Sequence, residues 1–164
     1  MTIKTSLGDM KVELYEDKAP GTVKNFLEYA DSGYYRGTIF HRVIKNFMSQ
    51  GGGFNQQYKQ KKTLAAIKNE ADNGLKNEKY TLAMARTSSP NSATSQFFIN
   101  AKHNTFLNHS GKNMRGWGYC VFGKVIEGQD VADKINAVAT GPGGRFSKDA
   151  PKDMVVINEI TRVK

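Results

Sequence analysis

Phe40-His41-Arg42-Val43-Ile44-Lys45-Asn46-Phe47-Met48-Ser49-Gln50-Gly51-Gly52-Gly53-Phe54 is the stretch whose reading decides the fold and the chemistry of this chain. It sets Arg42 shortly before Phe47, Met48 and Gln50, and closes on three consecutive glycines. An arginine is charged at every working pH and offers a planar fork of donors; an apolar pair and a neutral amide accompany it here. That set suits a site that holds a substrate electrostatically, and it does not suit covalent attack. A second run, Ser95-Gln96-Phe97-Phe98-Ile99-Asn100, again combines an amide with bulky apolar side chains.

The rest of the chain bounds what such a site can serve. A length of 164 residues fits one domain spanning 1–164, able to bury roughly 70% of its unfolded surface. The charged fraction of 24% and apolar fraction of 38% belong to an ordinary globule. A net charge of +9 would suit an acidic partner, but the basic residues are scattered. Only Lys59-Gln60-Lys61-Lys62 is dense, and it reads as a solvated loop. No dedicated nucleic-acid site is expected. Cys120 stands alone, so it reads as a small buried hydrophobe. No signal peptide or membrane-length apolar run is present, which points to a cytoplasmic protein.

Periodicity supplies the elements. Ile3, Thr5 and Leu7 alternate towards Gly8-Asp9, read as a turn, and Met10, Val12 and Leu14 alternate back, so residues 1–15 predict a hairpin. Pro20 to Ala30 predicts a helix with Val23, Phe26, Leu27 and Ala30 on one face and Ser32-Gly33 at its end. Gln129 to Ala137 predicts a second. Short strands are expected at 38–44, 81–85, 96–99, 119–126 and 154–163, and 141–152 reads as a loop. About eight short strands with two separated helices suggest a β-barrel or sandwich covered at its ends.

Dull readings compete with functional ones at each residue. His41, His103 and His109 make no ligand pair, and no zinc set can be assembled, so neither metal nor cofactor is expected. His41 reads as a structural hydrogen-bonder, and the other two as solvated. The three glycines lack the following Lys-Ser/Thr of a phosphate loop and read as a backbone bend near a binding surface. Strand alternation puts Phe97 and Phe98 on opposite faces, so one of them belongs to the core. Arg42 lies in an apolar, β-like run and must reach solvent or a partner; a structural salt bridge is its plain alternative.

The two runs together resemble the signatures of the cyclophilin-type peptidyl-prolyl cis-trans isomerases. Lys24-Asn25-Phe26, Asn69-Glu70, Leu82-Ala83-Met84-Ala85 and Val121-Phe122-Gly123-Lys124-Val125 match the family in the same order, so the likeness covers nearly the whole chain. The resemblance implies a closed eight-stranded antiparallel β-barrel capped by two α-helices, with its substrate groove on the outside. Arg42 and Gln50 correspond to catalytic positions, and Phe47, Met48, Gln96 and Phe98 to substrate-binding ones, which assigns Phe97 to the core. Ala85, Arg86 and Thr87 correspond to the segment that holds substrate backbone. Phe106, Leu107 and Tyr119 correspond to the proline pocket.

Departures from the common pattern are informative. Phe106 replaces a tryptophan and Tyr119 a histidine of many eukaryotic members, and Arg86-Thr87 replaces an Asn-Ala pair. With the longer loop 108–118, the two aromatic exchanges resemble the bacterial cytosolic branch. The resemblance therefore implies a monomeric isomerase of proline-containing peptides and folding proteins, with weak cyclosporin binding. A non-catalytic peptide-binding or chaperone module on the same fold is the alternative.

Overall fold

The computed structural model describes residues 1–163. Its first hairpin pairs β1 (Thr2–Thr5) with β2 (Gly8–Leu14). The turn is Ser6-Leu7 rather than Gly8-Asp9, because Gly8 already pairs with Thr5. The Thr5 hydroxyl closes the turn by donating to the Gly8 carbonyl at 2.7 Å and accepting from the Leu7 amide at 3.2 Å.

Helix α1 (Pro20–Asp31) follows the expected periodicity, burying Val23, Phe26 and Ala30, and also Tyr29. Its end falls at Ser32, with Gly33 in the left-handed region at φ +76°. No residue at its start caps it; the Glu70 carboxylate, from a distant segment, accepts from the Gly21 and Thr22 amides and from the Thr22 hydroxyl. Helix α2 (Gln129–Asn136) ends at Ala137.

The expected strand at 38–44 is two strands, β3 (Thr38–Ile39) and β4 (Arg42–Ile44), interrupted at Phe40-His41. The remaining strands are β5 (Met48–Gly51), β6 (Thr81–Met84), β7 (Phe97–Asn100), β8 (Val121–Glu127), β9 (Thr140–Gly143), β10 (Phe146–Pro151) and β11 (Val156–Thr161). The segment 141–152 is therefore largely the β9–β10 hairpin and not a loop.

Nine strands form one antiparallel sheet in the order β3-β11-β1-β2-β8-β6-β7-β5-β4. This corrects the expected closed eight-stranded barrel: the sheet is a strongly curled half-barrel whose two outermost strands do not pair. β3 and β4 are instead consecutive pieces of one chain, and the outer edge of β3 bonds the segment after β5: the Ile39 amide donates to the Phe54 carbonyl at 3.0 Å and the Gly52 amide to the Ile39 carbonyl at 3.4 Å. Two residues, Phe40 and His41, carry the backbone from one edge of the sheet to the other, and the Phe40 amide bonds the Val155 carbonyl on the way.

Curling separates two apolar clusters. The inner one gathers Phe26, Tyr35, Phe40, Phe97 and Phe122 with the aliphatic residues of β1, β6 and β11. Its rings meet edge-on or tilted at 5.1–6.1 Å around Phe26 and Phe97, the geometry that aromatic quadrupoles favour. The outer one gathers Met48, Ala83, Ala85, Phe98, Leu107 and Val121 on the opposite face of the sheet. Phe97 and Phe98 thus divide between the clusters as alternation requires.

His41 does not serve as a hydrogen-bonder. It is 3% exposed, its Nδ1 has no partner among the described residues, and it packs between Phe54 at 4.5 Å and Phe146 at 5.2 Å. Burial, helped by neighbouring Arg42, lowers its pKa from 6.5 to about 4. His109 is also less solvated than expected, half-buried against Trp117 with its Nδ1 2.8 Å from the Trp117 carbonyl. Lys61 likewise leaves the solvated run 59–62: its ammonium bonds the Tyr34 carbonyl and lies 4.4 Å over the Tyr34 ring. Cys120 is buried among apolar neighbours, and burial pushes its thiol up to about 11. No helix among the described residues is long and apolar enough to cross a membrane.

Candidate active site

Strand register builds the site. In the antiparallel ladder Arg42 stands opposite Gln50, Gln50 opposite Phe98, and Phe98 opposite Ala83. Residues directly opposite share a face, so this row runs across four strands on the outside of the curl. Met48, two residues before Gln50, lies on the same face and adds to the floor.

A groove of about 280 Å³ opens over this floor, with Arg42 and Gln50 on one side and Ala85 and Arg86 on another. Leu107 and Tyr119 supply apolar walls over Met48 and Phe98. Tyr119 meets Phe98 edge-on at 5.8 Å. Phe47 and Phe106 stack at 5.6 Å on the rim, and Phe106 is 71% exposed.

The polar side is a short relay. Arg42 Nη1 donates to Gln50 Oε1 at 3.3 Å, and Gln50 Nε2 donates to Gln96 Oε1 at 2.9 Å. Among the described residues Arg42 makes no salt bridge, so the plain alternative for it is not what the fold uses. One contact occupies one of the five N–H donors of a guanidinium, which leaves the others to the groove. Gln96 stands behind Gln50 instead of lining the groove, wedged against Gly53. A Cβ at Gly53 would lie 2.6 Å from Gln96 Nε2, so the third glycine of the run makes room for the relay.

Arg86 is committed to the protein. Its Nε and Nη2 donate to the Gly118 carbonyl at 3.2 and 2.9 Å, and Nη1 to the Thr87 carbonyl at 2.9 Å. Its guanidinium lies 4.4 Å over the Tyr119 ring. It therefore braces the Tyr119 wall and the end of the 108–118 loop. Asn69 reinforces the same carbonyl at 3.1 Å. Thr87 is exposed and turns away to the Ser92 hydroxyl at 2.8 Å, so the structure does not bring it to the groove. Every other residue expected at the site lines the groove, apart from Gln96 behind it.

The buried amides of Asn77, Asn100 and Asn104 escaped the sequence reading. Asn77 and Asn104 sit in polar, loop-like stretches and Asn100 only closes the second run, so no periodicity marked any of them. As a chemical object the groove has the Arg42 guanidinium, bonded among the described residues only to Gln50, a neutral amide relay and an apolar pocket. No group of three or more His, Cys, Asp or Glu among the described residues could hold a metal.

Comparison with known proteins gives concordant results. Residues 1–162 match the family described as cyclophilin type peptidyl-prolyl cis-trans isomerase/CLD. The chain is 57% identical over 161 residues to peptidyl-prolyl cis-trans isomerase B of Escherichia coli strain K12, covering 98% of both chains. It is 59% identical over 155 residues to peptidyl-prolyl cis-trans isomerase cyp18 of Streptomyces antibioticus, covering 94% of this chain and 93% of that one. Among solved structures, a cyclophilin type isomerase of Cryptosporidium parvum, crystallised in the presence of the dipeptide Ala-Pro, superposes with a TM-score of 0.76 at 32% identity. That match covers 96% of this chain and 94% of the other.

Proposed function

This chain belongs to the cyclophilin-type peptidyl-prolyl cis-trans isomerases, and from that premise we propose that its outer groove is where X-Pro bonds turn, with Arg42 as the catalytic electrostatic group. The observation that carries the proposal is Arg42 itself: a guanidinium at an apolar pocket, steadied by Gln50 and free of any carboxylate among the described residues.

The barrier to the reaction is the resonance of the amide, ~18–20 kcal/mol. Resonance leaves the prolyl nitrogen without a usable lone pair in either planar isomer. Only the twisted state restores one. Arg42 donates to that nitrogen, so its contact exists in the transition state and not in the ground states, which is the condition for lowering the barrier. A preorganised charged donor supplies about 3 kcal/mol, close to half of the ~7 kcal/mol that a 10⁵-fold acceleration requires.

Phe47, Met48, Phe98 and Leu107 grip the pyrrolidine ring and exclude water from the bond. Gln50, held by Gln96, and the backbone of Ala85 and Arg86 anchor the peptide on one side while the other rotates. Tyr119 closes the pocket. Proline-containing segments of peptides and unfolded proteins are the substrates, a class supported by the relative crystallised with Ala-Pro.

The test is cis-to-trans conversion of an Ala-Pro-Phe reporter peptide by the protein and by Arg42→Ala. Acceleration that falls about 100-fold in the variant corresponds to ~2.7 kcal/mol of lost transition-state stabilisation and supports the mechanism. Equal acceleration by both proteins removes Arg42 from the chemistry. No acceleration by either leaves a peptide-binding module on this fold.

A further inference from the structure

Behind the groove three buried asparagines are joined head to tail. Asn77 is 2% exposed, and Asn100 and Asn104 are 0% exposed. Asn104 Nδ2 donates to Asn100 Oδ1 at 2.8 Å, and Asn100 Nδ2 donates to Asn77 Oδ1 at 3.0 Å and to the Thr81 hydroxyl at 2.9 Å. Both ends of this chain reach groove backbone. Asn104 Nδ2 also donates to the Phe47 carbonyl at 2.9 Å, and Asn77 Nδ2 donates to the Leu107 and Tyr119 carbonyls, each at 3.2 Å. Phe47, Leu107 and Tyr119 come from three separate segments, and the side chains of all three line the groove.

Resting on the reading of this groove as the isomerase site, we propose that Asn77, Asn100 and Asn104 are positioning residues that set the spacing of its walls, with Asn100 as the link between the two ends. Burying carboxamides is costly unless their polar atoms are paired, and apolar side chains of similar shape would fill the same space without that cost. Direction is what amides add: each fixes its partners at hydrogen-bond distance and angle. The donors here follow one another in sequence, so each bond polarises the next. Asn104 Oδ1, buried without a partner among the described residues, shows that this donor orientation is held even though one acceptor is left unpaired. Asn100 also stands opposite Met48 across β5 and β7, which ties the floor of the groove to the same link.

The experiment compares Asn100→Ala, Asn100→Ser and Asn136→Ala by reporter-peptide kinetics and thermal melting. Asn136 is also buried, but it donates to the Ile44 carbonyl and the Ser49 hydroxyl and touches none of the three wall carbonyls. The walls contact the proline ring in ground and transition states alike, so loosening them raises KM more than it lowers kcat. Asn100→Ala raises KM about fivefold with kcat within about twofold. Asn100→Ser, which keeps a group able to donate and accept, recovers most of the KM. Asn136→Ala lowers the melting temperature without raising KM. Should Asn100→Ala fail to fold, Asn104→Ala, which removes the bonds to the Phe47 carbonyl and to Asn100 but leaves the Asn100–Asn77 bond, carries the same expectation of a raised KM. An active protein whose KM is untouched by these changes, or one in which Asn136→Ala raises KM equally, overturns the proposal alone. A wild-type protein that does not accelerate the reporter removes its premise.

Discussion

His41 makes stability depend on acid in a way that can be isolated. Its ring is enclosed by Phe54 and Phe146, and its pKa falls from 6.5 to about 4 on folding. Between those values the unfolded chain takes up a proton that the folded chain refuses. The folded pKa is the depressed one, so the contribution is complete above pH 6.5 and is lost as pH falls towards 4. Lowering the pH from 7 to 4.5 therefore costs about 2 kcal/mol through this residue, or roughly 4–8 °C of Tm for a chain of this size. His41→Leu keeps a comparable volume between the two rings and removes the titration. Urea unfolding of both proteins at pH 7 and pH 4.5 measures the effect, because carboxylates elsewhere contribute to both equally. The variant loses about 2 kcal/mol less than the wild type over that interval. Parallel losses would refute the reasoning, as would an imidazole titration followed by NMR with a midpoint near 6.5 in the folded protein.

Other expectations follow from single contacts. Because no group that titrates between pH 6 and 9 takes part in the proposed chemistry, kcat/KM varies by less than about twofold over that range; a bell with a pKa near 7 would point to a different mechanism. Arg42→Lys, a point charge without the planar fork, retains about a tenth of the wild-type kcat/KM or less in the reporter assay. Glu70→Ala uncaps α1 and costs about 1–2 kcal/mol, measured as a lower urea midpoint with kcat/KM unchanged. Gly53→Ala drives a methyl group into Gln96 and breaks its bond to Gln50; reporter kinetics then show a several-fold loss of kcat/KM, whereas unchanged kinetics would mean that Gln96 does not steady Gln50.

Some of this molecule was legible in one dimension. Both helices followed from a 3.6-residue period together with Pro20 at one start and Gly33 beyond one end, signals that act within a single turn. The opposite fates of Phe97 and Phe98 followed from alternation. The β9–β10 hairpin was not legible, since its strands are rich in glycine and charge and bury only Ala150 and Pro151, with no alternating apolar face to betray them. Gly8 misled because its positive φ serves a strand start and not the turn beside it. Candidate site residues in the two long runs were named through family likeness; residue chemistry alone left Arg42 divided between a salt bridge and a site. The role of Arg86 as a brace depended on Gly118, thirty-two positions away, and apart from its Asn104–Asn100 link the asparagine chain joins residues nineteen to fifty-seven positions from their partners. Contacts of that separation leave no periodic trace.

The short passage through Phe40 and His41 also bears on how the protein survives its own substrates. Extended, unfolded chains seek out sheet margins and add to them as extra strands. The sheet here ends on strands of two and three residues, β3 and β4, both part of the same short stretch of backbone. Such stubs give an incoming chain too few free amides and carbonyls to bond. On the proposed reading of the groove, a client settles there and gains little purchase on the margins of the nine-stranded sheet.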